Sequence, residues 1–288
     1  MQYPLVTIIC ISFNHSKYVA DALNAVWNLE YPNVELIIAD DASTDKSQQV
    51  IKELILGKKV ELLFNTINIG HCKTFNNALK LAKGEFIIDL SADDILLPNS
   101  VSNGLARFNE MGKSFGVFFS NALHIDEDGI EIGAHITPSF FYLGVVPQGD
   151  VYRNLLSKYF ISPPTMIFRK ELMEELGGYN EALSYEDFDF WVRSSRITKY
   201  CYLSEATVKK RIHTESVSSK QYIKNSKMLG STLQVCNTAF SLNKTKSEDF
   251  SLIMRLAYEA KMALFSNNYS IALKMFILAI KVFFKIRS

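Results

Sequence analysis

Two adjacent acids, Asp93 and Asp94, close the run Glu85-Phe-Ile-Ile-Asp-Leu-Ser-Ala-Asp-Asp-Ile-Leu-Leu-Pro98. Side-by-side carboxylates repel each other and resist burial unless a cation sits between them, and a hard divalent ion bridging phosphate oxygens is the usual resident. The plainer alternative is a solvated turn in which Asp94 caps the helix after Pro98. A second pair, Asp40 and Asp41, ends the apolar run Val34-Glu-Leu-Ile-Ile-Ala39 and is followed by Ala42-Ser43-Thr44-Asp45. Ser43 or Thr44 could cap the helical segment that follows. Neither accounts for Asp40 and Asp41, since a carboxylate at a buried strand end costs free energy unless it is paired. Upstream, the β-branched run from Val6 ends in an aromatic, Phe13, and an amide, Asn14.

Strands must position these groups. Short apolar runs at 5–11, 34–40, 60–64, 85–90 and 115–120 read as buried strands, and helical patterns at 16–28, 46–56, 72–83 and 99–110 separate them. Such alternation implies a mostly parallel sheet with right-handed crossovers, whose strand ends form the usual ligand crevice. Between Asn121 and Gly149 the periodicity gives way to Gly, Pro and aromatic residues, which predicts a long functional loop or β-excursion. A helix at 150–158, a strand near 165–169 and helices near 170–176 and 186–196 follow, and beyond Ser218 the chain reads as wholly helical.

Ile11-Ser-Phe-Asn14, Glu35 to Asp45, Asn68-Ile-Gly70 with Asn76, Ala82-Lys-Gly-Glu-Phe-Ile87 and Ser91-Ala-Asp-Asp94 together resemble the ordered signature of family 2 glycosyltransferases with the GT-A fold, and the match continues to about Ser218. The resemblance implies an α/β, Rossmann-like, mostly parallel sheet flanked by helices, with a helical C-terminal extension. It divides the chain into a catalytic domain at 1–218, with a nucleotide-sugar half to about 120 and an acceptor half from about 121, and an extension at 219–288.

The resemblance also implies site roles. Phe13 offers a ring face to a base, with core packing as the alternative. Asp41 accepts a hydrogen bond from a pyrimidine N3–H, usually uracil in the family. Asn14 and Asn76 belong to the nucleotide-sugar motifs. A Mg²⁺ or Mn²⁺ ion is implied through the acidic motif, with Asp94 as direct ligand and Asp93 on ribose or a metal-bound water. Many members carry a further Asp where this chain has Ser91, which predicts weak metal affinity coupled to donor binding. Downstream, Glu186-Asp187 resembles the family's Glu-Asp motif at the start of a helix, where the macrodipole keeps a carboxylate ionised. Asp187 is the expected general base of an inverting transfer. An acid that only caps the helix is the bland alternative, and Asp189 could share either role. Glu186 and Trp191 are candidate acceptor contacts, although a Trp at helical spacing also suits a core. His213 resembles the family's C-terminal histidine at the metal or diphosphate, Arg211 could neutralise phosphate, and Ser216 and Ser218 recur in the same motif.

Composition excludes other classes. Lys and Arg number 31 against 30 Asp and Glu, so no global field draws the protein to nucleic acid. The hydrophobic content of 48% fits a globular core. Four scattered cysteines form no Cys-x-x-Cys pair, which fits reduced thiols in a cytoplasmic protein. Neither a signal peptide nor a membrane-spanning run is apparent. The segment Ile271 to Arg287 combines apolar residues with Lys274, Lys281, Lys285 and Arg287 and no acid. Contact with the inner face of a membrane, packing within the protein and a homo-oligomer interface are its three expected uses. The expected function is inverting transfer from a nucleoside-diphosphate sugar, UDP-linked by resemblance, to a saccharide or lipid-linked saccharide in bacterial surface-polysaccharide assembly. A nucleotidyltransferase and a non-catalytic sugar-nucleotide binding module are the alternatives.

Overall fold

Seven consecutive buried residues, Val6–Ser12, make β1. A strand covered on both faces needs no polar alternation, and this run of β-branched side chains has little. β1 pairs in parallel with β2 (Val34–Asp40) and β4 (Phe86–Ser91), in a register that sets Ser12 opposite Asp40 and Ile11 opposite Ser91. β3 (Glu61–Phe64) adds to β2, also in parallel. The computed structural model describes residues 3–137, 139–140, 145–214 and 220–287, omitting the Arg287 side chain. Ser216 and Ser218, and the boundary expected there, lie outside the described residues.

The chain forms two compact units. The first comprises Met1–Gly149, Ile161–Tyr179 and Thr198–Ile212. It holds one sheet in the order β3-β2-β1-β4-β8-β6-β9-β5, where β5 is Ile95–Leu96, β6 Phe115–Ile125, β8 Ile167–Arg169 and β9 Lys199–Arg211, with β7 (Glu131–Ala134) paired to β6. The helices α1 (Val19–Trp27), α2 (Ser47–Leu54), α3 (His71–Leu79) and α4 (Ser100–Met111) alternate with the first strands as expected, and α6 (Lys170–Leu176) follows β8. Val6, Ile8, Cys10, Ile38, Ile88 and Leu90 form the core with Leu23 of α1, Ile51 of α2 and Leu105 of α4.

Residues 121–125 continue β6, and β7 returns antiparallel to it, so the stretch begins as the β-excursion of the two alternatives. The 13-residue β9, which pairs in parallel with β6 through bulges near Ser120 and Asn121, is absent from the strands expected from the sequence.

The second unit comprises Asp150–Phe160, Asn180–Ile197 and His213–Ser288. It contains α5 (Tyr152–Ser157), α7 (Asp187–Ser194), α8 (Lys227–Leu242), α9 (Lys246–Phe265) and α10 (Tyr269–Arg287). A capping box starts α9: Thr245 Oγ1 accepts from Glu248 N, and Glu248 in turn accepts from Thr245 N. Both guanidinium ends of Arg196 donate to the same Glu248 carboxylate, at 2.9 and 2.7 Å. Deeper in, Arg255 and Glu259 form a buried pair at 3.2 Å, completed by donation from Arg255 Nε to Leu156 O and from Tyr222 Oη to Glu259. Those extra bonds satisfy groups that a bare buried ion pair would leave desolvated.

Candidate active site

Because β1, β2 and β4 are parallel and in register, Phe13, Asp41 and the Asp93–Asp94 pair leave the sheet at one edge. Asp41 N donates to Ser12 O and Ala92 N to Ile11 O, each at 2.9 Å, which holds the three exits together. Strand order reverses at β1, since β2 and β3 lie to one side of it and β4 to the other. The crevice outside the strand ends at such a reversal is where open α/β sheets take ligands.

Each exit is locally braced. Asn14 (φ 58°) and Ala42 (φ 59°) adopt the left-handed conformation, uncommon for residues with a Cβ, directly after Phe13 and Asp41. Asn14 N donates to Ser43 Oγ, and Asn14 Oδ1 accepts from Thr44 N at 2.8 Å. Ser43 and Thr44 therefore tie β1 to the β2 exit and do not cap α2. At the start of that helix, Asp45 accepts from Ser47 N. The Asn14 amide braces the loop and leaves Phe13, 42% exposed, as the open face of this exit. Asp40 is wholly buried and accepts from Ser43 and Gln48. Asp41 accepts from Asn65 Nδ2, Ile69 N and Gly70 N at 2.8–2.9 Å, so it also shapes the turn before α3. Both amide atoms of Asn76 go to the Tyr179 backbone, at 2.9 and 2.8 Å. Asn76 thus anchors the turn after α6, where Gly177 ends that helix in the left-handed region.

Asp93 and Asp94 are both buried. Asp94 Oδ1 accepts from Arg211 N at 2.9 Å, so Asp94 is no helix cap; Asn99 stands at that position of α4. Burial, followed by the neighbouring Asp93 charge, pushes the Asp94 carboxyl well above the ordinary carboxylate range. Cys10 lies in the same field: burial and then Asp93, Asp89 and Asp94 push its thiol up. A proton or a cation relieves this field. The donors are carboxylate oxygens, which fits a hard divalent ion. Arg211 does not present a free cation to a phosphate. Its guanidinium is buried, donates to the carbonyls of Asp93, Asp126 and Glu127 and to Asp21, and lies 4.6 Å over the Tyr18 ring.

Sequence reasoning missed four neighbours. His15 Nε2 lies 3.8 Å from Asp93 Oδ2. Asp89 Oδ2 meets His71 Nε2 at 2.9 Å and accepts from Tyr179 Oη at 3.1 Å. The available signal was an acid inside an otherwise apolar strand, a residue that costs free energy without partners.

Within the second unit, Asp187 is the first residue of α7 and Glu186 holds its N-cap position. Asp189 is buried against Arg193 at 2.7 Å; burial raises its carboxyl and Arg193 opposes the rise. Asp189 is therefore an ion-pair partner. Trp191 is 3% exposed with its ring 5.7 Å from Tyr159, as in a packed core. His213 stands two residues past β9.

Residues 7–177 match the family model described as glycosyl transferase family 2. The chain belongs to that family. An uncharacterized glycosyltransferase of Rickettsia felis is 27% identical over 220 residues, 75% of this chain but only 36% of its own length. One of Haemophilus influenzae is 27% identical over 221 residues, covering 75% of this chain and 68% of its own. Among solved structures, S. aureus TarS 1–349 in complex with UDP-GlcNAc is similar with a TM-score of 0.71 at 19% identity, over 98% of this chain and 80% of that one. The Pyrobaculum calidifontis mannosyltransferase PcManGT, in complex with GDP-Man and Mn²⁺, is similar with a TM-score of 0.66 at 15% identity, over 99% and 88%. At these identities the likeness establishes the GT-A fold, and the family model establishes the family.

Proposed function

We propose that the protein is an inverting glycosyltransferase that moves a sugar from a nucleoside-diphosphate donor, UDP-linked, to a saccharide or lipid-linked saccharide in surface-polysaccharide assembly. The observation that carries this reading is the convergence of Phe13, Asp41 and the Asp93–Asp94 pair at one edge of a parallel sheet, where strand order reverses. Phe13 stacks on the base, Asp41 accepts from it, and Asp93 meets ribose. Asp94 would hold a Mg²⁺ or Mn²⁺, with His213 as a second candidate ligand; such an ion supplies charge neutralisation to the leaving diphosphate. Arg211 supports this site by donating from Nε to the Asp93 carbonyl and from its backbone N–H to the Asp94 carboxylate. The acceptor hydroxyl attacks the anomeric carbon, the bond to the diphosphate oxygen breaks on the opposite face, and Asp187 takes the hydroxyl proton. Glu186 contacts the acceptor, while Trp191 supports the helix that carries Asp187. A lipid-linked acceptor places the enzyme at the inner surface of a membrane.

Slow hydrolysis of a nucleotide-sugar panel in the presence of Mn²⁺ identifies the donor. Calorimetry of the matching nucleoside diphosphate, with and without Mn²⁺, is expected to show metal-dependent affinity in the wild type and none in Asp94→Ala. Hydrolysis of no donor, or unchanged metal dependence in the variant, removes the assignment.

A further inference from the structure

The outer surface of the α9–α10 hairpin segregates both polarity and charge. On α10 the inward positions are Ala272, Met275, Leu278 and Val282. Opposite them, Leu273, Phe276, Ile277, Ile280 and Phe284 recur at spacings of three and four and are 41–63% exposed, a continuous apolar stripe on one helix face. On α9, Phe250, Met254, Tyr258 and Phe265 form a second exposed stripe opposite the buried Leu252, Leu256, Glu259 and Ala263. Large exposed apolar patches of this kind mark interaction surfaces.

Charge identifies the occupant. Every acid of the hairpin is already committed: Glu248 to Arg196, Asp249 to Asn243, and Glu259 to Arg255. The exposed bases are Lys246, Lys261, Lys274, Lys281 and Lys285. Of these, Lys285 donates to Phe240 O and Asn243 O at the end of α8, which ties its ammonium to the fold. A second copy would set these lysines against lysines, whereas an anionic surface complements them. No helix among the described residues is long and apolar enough to cross a membrane.

We infer that α9 and α10 form an interfacial docking surface for anionic lipid, with the two stripes entering the headgroup boundary and Lys261, Lys274 and Lys281 contacting acidic headgroups. The inference stands on the hairpin alone and is independent of the donor and of Asp94.

Flotation of the full chain with phosphatidylcholine vesicles, with and without phosphatidylglycerol, tests it. The protein is expected to float with the anionic vesicles only and to be partly released by high salt. Phe276→Ser combined with Ile280→Ser abolishes flotation. Lys274→Gln combined with Lys281→Gln weakens it roughly ten-fold. Donor hydrolysis in solution stays at the wild-type rate in both, which separates this test from that of the active site. Wild-type protein that remains in the soluble fraction with anionic vesicles overturns the inference without any variant. So does a concentration-dependent dimer that the Phe276/Ile280 variant dissolves, because it assigns the face to a second copy.

Discussion

Arg211 and Asp94 meet through the backbone: the Arg211 N–H donates to the Asp94 carboxylate while the guanidinium turns to three carbonyls and Asp21. Arg211→Ala removes a buried guanidinium and leaves these part-buried carbonyls without their donor, so it should cost roughly 1–3 kcal/mol of folding free energy. Urea unfolding measures the loss. An intact midpoint with weakened diphosphate binding would return Arg211 to the ligand. Asp187 is expected to behave in the opposite way. Asp187→Asn keeps the helix start and the volume but cannot accept a proton, so transfer should fall about 10²–10⁴-fold while donor affinity holds near wild type. Steady-state rates and calorimetry on the same variant separate the two effects, and normal transfer would shift the role to another acid.

At the scale of elements, the motif Ala82-Lys-Gly-Glu has a packing cause. Gly84 N donates to Thr7 Oγ1 at 2.9 Å, and a Cβ at Gly84 would stand 2.5 Å from Thr7 N and 2.9 Å from Leu5 O. These are backbone atoms, which have nowhere to retreat in a fully paired central strand. Gly84→Ala should therefore destabilise by about 1–3 kcal/mol, the usual cost of overpacking, with a matching drop in urea midpoint. An unchanged midpoint would mean that the start of β4 can shift. Long buried runs made β1, β2 and β4 legible, because a strand covered on both faces writes itself as continuous β-branched text. β5, with two residues, and β9, with Glu205 and four basic residues among its 13, carry no such text. The pairing of β5 with β9 and of β9 with β6 is set by tertiary contacts.

At the scale of the whole molecule, acid stability tests the second unit. Burial alone would raise the Glu248 carboxyl, but Arg196 and the N–H groups at the start of α9 bring it down from 4.5 to about 2. A group depressed in the folded state stabilises fully above its unfolded value and loses that contribution as pH falls through the folded one. Stability is thus expected to decline between about pH 4.5 and pH 2. Glu248→Gln should flatten that limb of a melting-temperature profile, and an identical slope in the variant would assign the decline to other carboxylates such as Asp45, also lowered to about 2.

Sequence alone determined the β/α alternation, the acids at two strand exits, the aromatic at a third and the family resemblance, because these depend on local runs and spacing. It also located the polar residues without distinguishing those that face a ligand from those that brace the fold. Asn14, Asn76 and Arg211 share the residue types of ligand contacts, yet their hydrogen bonds close on Thr44, Tyr179 and the carbonyls of Asp93, Asp126 and Glu127. The link from Asp89 to His71 and Tyr179 was likewise out of reach, since it joins residues 18 and 90 positions apart. Only the tertiary structure decides such matters, because a polar group's role depends on which partner is within about 3 Å, and chain distance does not encode that.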